Sequence, residues 1–290
     1  MDSTSYHNAA RNLILLKHTK DILRVLRQEN IPVIVLKGIA LVETVYPHIG
    51  MREIADIDLL VKEKDLLVIS KKLTELNYKF KAFDSVPWYE LNSEISIFVQ
   101  LHTQILYLRE KEIWDNLMPI NIEGEPCYAL ALEQNLIYLC YHLAVFHLNA
   151  DKKWIEDLNW YVRRYQKDID WEKLAKMIKS YRLTAPCYFS FLRAKELFNS
   201  LIPNDFMSTI KPKDGIQARV FKKIFSGQES IKRIIYFLPP LINPRLIFSY
   251  LFPTVKFMCR RYNTSPPFVY FCYLFRPIDL FFRALNPFAY

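Results

Sequence analysis

Two aspartates one residue apart, Asp56 and Asp58, lie in the run Ile54 to Val61. Its alternation sends Asp56, Asp58 and Leu60 to one face of a strand and Ile57, Leu59 and Val61 to the other. Carboxylates that share a face at the two-residue repeat of a strand can converge on a hard divalent ion. Such an ion takes oxygen ligands and keeps positions open for substrate phosphates, so Mg²⁺ (or Mn²⁺) is expected. Upstream, Lys37-Gly38 closes the apolar run Val33 to Leu36, and a helical pattern follows from Ile39 to Tyr46. Backbone N–H groups at Gly38, beside the N-terminus of that helix, can bond phosphate oxygens, and the missing Cβ admits a triphosphate closely. Lys37 or Arg52 would add positive charge. The plain alternative is a solvated strand end or a cap for the next helix.

The elements that must position these residues follow from periodicity. Residues 9–28 place Leu13, Leu16 and Leu23 near one helical line, flanked by Leu15, Ile22 and Leu26, which predicts an amphipathic helix. Val33 to Leu36 and Ile54 to Val61 read as strands, Asp65 to Leu76 as a helix, and Tyr78 to Phe83 and Ile95 to Leu108 as further strands. From Ala129 onward the pattern is helical: Leu132 to Phe146, Trp154 to Tyr165, Trp171 to Tyr181 and Ala185 to Asn199. An α+β domain over residues 1–125 and a helical domain over residues 126–290 are therefore expected.

Composition narrows the class. With 51% hydrophobic residues and only 5 glycines in 290, the chain is neither intrinsically disordered nor collagenous. Its 5 cysteines include no CxxC pair and no zinc-type spacing, and the polar start MDSTSYHNAARN lacks the layout of a secretory signal. A cytoplasmic protein with reduced thiols is expected. The net charge of +9 is uneven: residues 211–290 hold 13 Lys and Arg against 3 Asp and Glu, a net of +10, leaving −1 for residues 1–210. The same tail carries 18 of the 43 aromatic residues, so its partner should be anionic, apolar or both.

The stretch Leu36-Lys37-Gly38-Ile39-Ala40-Leu41, then Tyr46-Pro47, Arg52 and Asp56-Ile57-Asp58-Leu59-Leu60-Val61, resembles a bacterial family of DNA polymerase β-like nucleotidyltransferases, the uncharacterised nucleotidyltransferase family 5. The likeness continues through Leu101-His102 and through Leu130 to Asp157, where Leu136, His142, His147, Trp154 and Asp157 match the family's helical segment; it covers roughly residues 33–160. It implies a polymerase β-like mixed sheet with helices, followed by a helical domain forming the other wall of a cleft. It also implies Mg²⁺-dependent transfer of a nucleotidyl group from an NTP, such as ATP, to an acceptor. Asp56 and Asp58 would hold the metal, and Lys37-Gly38 would sit beneath the phosphates. The superfamily usually adds a third carboxylate on a later strand, but the matching position here is Gln100. An amide cannot act as a general base, whereas His102, on the same face, can accept a proton. Glu94 shares that face but lies roughly 20 Å away along a strand. A catalytically degraded nucleotide- or partner-binding module therefore stays open.

His142 and His147 are five apart, about 140° around an α-helix, which is not the spacing of an i, i+4 ligand pair. They read as packed histidines, with the resemblance leaving room for an acceptor pocket that includes Asp157. In the tail, Arg233, Arg245, Arg260, Arg261, Arg276 and Arg283 interleave with Tyr236, Phe237, Tyr250, Phe252, Tyr262, Phe271 and Phe275. Nucleic acid, an anionic membrane face, or a helical core with arginines outside would each suit this pattern. The second would make the protein membrane-peripheral. Tyr262 to Phe275 is too short to span a bilayer.

Overall fold

A computed structural model describes residues 3–83, 86–93, 95–105, 107–147, 152–226, 251–253, 255, 258–259, 262 and 264–285. The chain divides into two compact units, residues 1–135 and 136–290. The division falls after Asn135 rather than at the expected 125.

The first unit is built on a seven-stranded mixed sheet, in the order β3-β4-β5-β2-β1-β7-β6. The strands are β1 (Ile34–Leu36), β2 (Ile57–Leu60), β3 (Lys79–Phe83), β4 (Val86–Asn92), β5 (Ser96–His102), β6 (Leu117–Ile122) and β7 (Glu125–Leu130). β2 is the middle strand, antiparallel to β1 and parallel to β5. Every residue of β1 and β2 is buried, as strands covered on both faces require, and Asp58 is the single charged residue among them. Helices α1 (Ser3–Gln28), α2 (Lys37–Thr44), α3 (Leu66–Glu75) and α4 (Glu110–Trp114) complete the unit. α1 buries Leu15, Leu16, Ile22, Leu23 and Leu26 as its period predicts, while Leu13 stays 55% exposed. The strand expected over Ile95 to Leu108 stops at His102. The β6–β7 hairpin escaped the sequence reading. Its two-residue turn, Glu123 (φ 50) and Gly124 (φ 85), is left-handed at both positions, the geometry that fits the twist of a tight hairpin.

The second unit is helical where described. It continues α5 (Leu132–Tyr141) into a π-helical turn, His142–His147, followed by α6 (Lys152–Tyr165), α7 (Trp171–Ser180), α8 (Thr184–Phe198), α9 (Asn204–Thr209), α10 (Ile216–Phe225) and α11 (Val269–Leu285). Asp170 caps α7, its Oδ1 accepting from the Lys173 N–H at 2.9 Å. Among the described residues no helix is long and apolar enough to cross a membrane. The expected continuous α-helix to Phe146 is corrected: from His142 the backbone bonds i to i+5. Residues five apart then stand about one turn apart rather than 140° round an α-helix.

Candidate active site

The chain passes from β1 into α2 with no loop between them. Lys37, the first residue of α2, has φ +49, a left-handed backbone that an L-residue adopts at a cost of roughly 1–2 kcal/mol. Leu36 pairs with Asp58 across β1 and β2, so the turn brings the Lys37 ammonium onto that aspartate, with Nζ donating to Asp58 Oδ1 at 3.0 Å. On the other side, β5 runs parallel to β2 with Gln100 opposite Asp58 and His102 opposite Leu60. Each aspartate reaches the β5 residue two positions beyond the one that the register, carried one residue back for Asp56, sets opposite. His102 Nε2 meets Asp58 Oδ1 at 2.7 Å, and Gln100 Nε2 donates to Asp56 Oδ2 at 2.8 Å. Both aspartates therefore reach side chains on one face of β5, although Asp56 immediately precedes β2 rather than lying within it.

The two carboxylates differ electrostatically. Burial alone would push the Asp58 carboxyl up, but the Lys37 charge and the His102 bond outweigh it and hold the group well below the usual carboxylate range. Asp56 is raised, first by burial and then by the charge of Asp58, against weaker opposing pulls from Lys37, Arg52 and the Gln100 bond. The surroundings of Asp56 thus disfavour its charged form, whereas those of Asp58 favour it.

Arg52 is buried, and its guanidinium fills the space a side chain at position 38 would take: a Cβ on Gly38 would stand 2.6 Å from Arg52 Nη1. The missing side chain at Gly38 directly admits the arginine, where the sequence suggested only room for phosphate. The segment carrying Arg52 is held by α1, a contribution the sequence reading missed. Asn12 Nδ2 donates to the carbonyls of Ile49 (2.7 Å) and Arg52 (2.6 Å), and Asn12 Oδ1 accepts from Ile54 N–H at 3.2 Å. Arg11 donates to the carbonyls of Ile54 and Ala55 at 3.0 and 3.2 Å. An asparagine between Arg11 and Leu13, three and four residues before Leu15 and Leu16 of an apolar helical stripe, was the available signal. Asn12→Ala strands buried polar backbone groups, and a loss of about 2–4 kcal/mol is expected in urea unfolding.

The donor set suits a divalent cation. Two carboxylates are hard oxygen ligands, and a bound cation would favour the charged form of Asp56 that burial and Asp58 disfavour. Among the described residues no group of three or more His, Cys, Asp or Glu could hold a metal by itself, so substrate oxygens would have to complete the shell. Glu94 lies outside the described residues.

His142, His147 and Asp157 belong to the second unit. The His142 ring packs edge-on against Trp154, with centroids 5.3 Å apart, and lies 6.1 Å from Tyr138. Asp157 is buried on α6, one turn beyond Trp154. The His147 side chain lies outside the described part, as do Arg233, Arg245, Arg260, Arg261, Tyr236, Phe237 and Tyr250 and the side chain of Arg283.

No curated protein matches the chain. Solved structures similar to it include ANT(2")-Ia in complex with adenylyl-2"-tobramycin, at 14% identity over 58% of this chain and 97% of that one, TM-score 0.43. An antigenic nucleotidyltransferase-like protein from Paracoccidioides brasiliensis is similar at 15% identity over 64% and 96%, TM-score 0.40. The lincomycin-bound lincosamide antibiotic adenylyltransferase LnuA is similar at 15% identity over 50% and 94%, TM-score 0.38. Residues 1–199 match the family described as uncharacterised nucleotidyltransferase, and with that much of its length covered the chain belongs to this family.

Proposed function

We propose that the protein transfers a nucleotidyl group from a nucleoside triphosphate to an acceptor hydroxyl or phosphate, using the face shared by β2 and β5. The observation that carries this reading is the pair Asp56 and Asp58 beside two cations, with Lys37 bonded to Asp58, Arg52 acting on Asp56, and the charged form of Asp56 disfavoured by burial and by Asp58. Lys37 can exchange its bond to Asp58 for substrate phosphate, which frees a carboxylate oxygen as the triphosphate arrives. Arg52 adds a fixed positive charge beside Gly38. Mg²⁺ or Mn²⁺ held by Asp56 and Asp58 would neutralise charge on the reacting phosphates and on the departing pyrophosphate. In its neutral form with Nε2–H turned to Asp58, His102 keeps a lone pair at Nδ1 for the acceptor proton.

A panel of four NTPs with Mg²⁺ in thermal-shift measurements tests the donor. A ligand present at a hundred times its Kd stabilises by about 2.7 kcal/mol, so one nucleotide should stand out. The variant carrying both Asp56→Asn and Asp58→Asn should lose NTP-dependent pyrophosphate release, and unchanged release in a pure preparation would sink the mechanism.

A second reading, a non-catalytic module that holds nucleotide or a partner, is favoured by Gln100, whose amide donates to Asp56 where a third carboxylate would stand. Gln100→Asp separates the two. Gained pyrophosphate release marks a degraded site, and lost release marks a glutamine that serves the native chemistry.

A further inference from the structure

Helix α11 (Val269–Leu285) is built inside out. Tyr270, Phe271, Leu274, Phe275 and Ile278 are 51–72% exposed and fall on one stripe at helical spacing. The opposite side buries Val269 and Arg276. Tyr262 donates its hydroxyl to Asp279 Oδ2 at 2.8 Å and is also bonded to Arg276, while Tyr273 donates to the Pro253 carbonyl at 2.5 Å. At Arg276 this departs from one of the three readings the sequence left open, an aromatic core with arginines outside. A helix in water turns its charges outward, but here the charges of Arg276 and Asp279 are drawn in and the outward stripe is apolar and aromatic. Contiguous exposed apolar surface of this kind marks an interaction site.

We propose that this stripe docks on an anionic lipid surface, with α11 lying in the interface plane. At about 1.5 Å per residue the 17-residue helix is shorter than a bilayer core of roughly 30 Å, and Arg276 and Asp279 interrupt it, so it lies on the membrane rather than through it. Phenylalanine and tyrosine alongside leucine and isoleucine are the side chains that settle at the boundary of headgroups and acyl chains. Charge chooses among occupants. The +10 of residues 211–290 attracts anionic headgroups and repels a second copy of the same tail. The stripe itself carries no cation, so it offers apolar area rather than the phosphate contacts that nucleic acid requires. The inference is independent of nucleotidyl transfer.

The experiment is co-sedimentation of the full chain with vesicles of equimolar phosphatidylcholine and phosphatidylglycerol, against phosphatidylcholine alone. Binding to the anionic vesicles, weakened by salt, is expected. The combined Phe271→Ser, Leu274→Ser and Phe275→Ser variant should lower the partition coefficient about a hundredfold, because three inserted apolar side chains are lost. Its circular dichroism and melting should not change, since all three are exposed. Absence of binding to anionic vesicles, equal binding to both compositions, or an unaffected triple variant would each overturn the proposal. So would a dimer in solution that the triple substitution dissolves, which would assign the stripe to a second copy. Salt-sensitive RNA binding that displaces the vesicles and ignores the triple substitution would assign the region to nucleic acid and also overturn it.

Discussion

Asp58→Asn should lower the stability of the folded protein by about 3–5 kcal/mol, the usual cost of removing one partner from a buried ion pair. The Asp58 side chain is 2% exposed, and its Oδ1 receives both the Lys37 ammonium and His102 Nε2, so the substitution leaves the Lys37 charge unpaired and weakens the His102 bond. The loss appears as a lower urea midpoint, and pH supplies an internal check. The carboxyl of Asp58 is held below its unfolded value, so its contribution is complete above that unfolded pKa, near 3.9 for an aspartate, and is lost as pH falls through the folded pKa. Wild-type protein should therefore lose stability on that acid limb, and the variant should lose less. Equal midpoints for the two proteins at neutral pH would show that the Lys37 and His102 bonds contribute nothing to the fold.

Asp56→Asn should do the opposite to stability and more to turnover. With its pKa raised, the folded protein binds the Asp56 proton more tightly than the unfolded chain does. The stability linked to this group is therefore complete below the unfolded pKa and is lost as pH rises through the folded one. Removing the charge should raise stability near neutrality by about 0.5–2 kcal/mol, the scale of relieving a conflict held for function. Pyrophosphate release should fall about 10³-fold or more, since the proposed mechanism rests several kcal/mol of charge stabilisation on the carboxylate pair. A variant that is more stable yet inactive separates lost chemistry from lost folding. One that is less stable, or as active as wild type, would remove Asp56 from the role proposed for it.

The central part of the fold was legible because its signals are local. Val33 to Leu36 is a short apolar run between Pro32 and Lys37-Gly38, Ile54 to Val61 alternates at the two-residue period, and both form strands, β1 spanning Ile34–Leu36 and β2 Ile57–Leu60. The two-residue period placed Gln100 and His102 on one face, where each bonds one of the aspartates. What stayed hidden depends on partners distant in sequence. Nothing near Gly38 announces that its missing Cβ accommodates Arg52, and nothing near Asn12 announces the carbonyls it serves some 40 residues on. The β6–β7 hairpin was overlooked because Glu123-Gly124 is a weaker turn signal than Asn-Gly or Asp-Gly. The π-helical turn after Tyr141 has no single-residue signature, so a continuous α-helix was the natural reading of Leu132 to Phe146. In the tail the sequence left nucleic acid, a membrane face and a helical core all open, since interleaved aromatic and basic residues identify a mixed surface without saying which medium it faces.

The clasp between α1 and the segment from Ile49 to Ala55 bears on how an anionic substrate would be met. Carbonyls of Ile49, Gly50, Arg52, Ile54 and Ala55 are all engaged by Asn8, Arg11 or Asn12. The backbone under the Arg52 guanidinium is therefore preorganised before any ligand arrives, and little ordering entropy is left to spend on closing a loop. On the proposed function, affinity at this position would be set by electrostatics already in place rather than by induced fit.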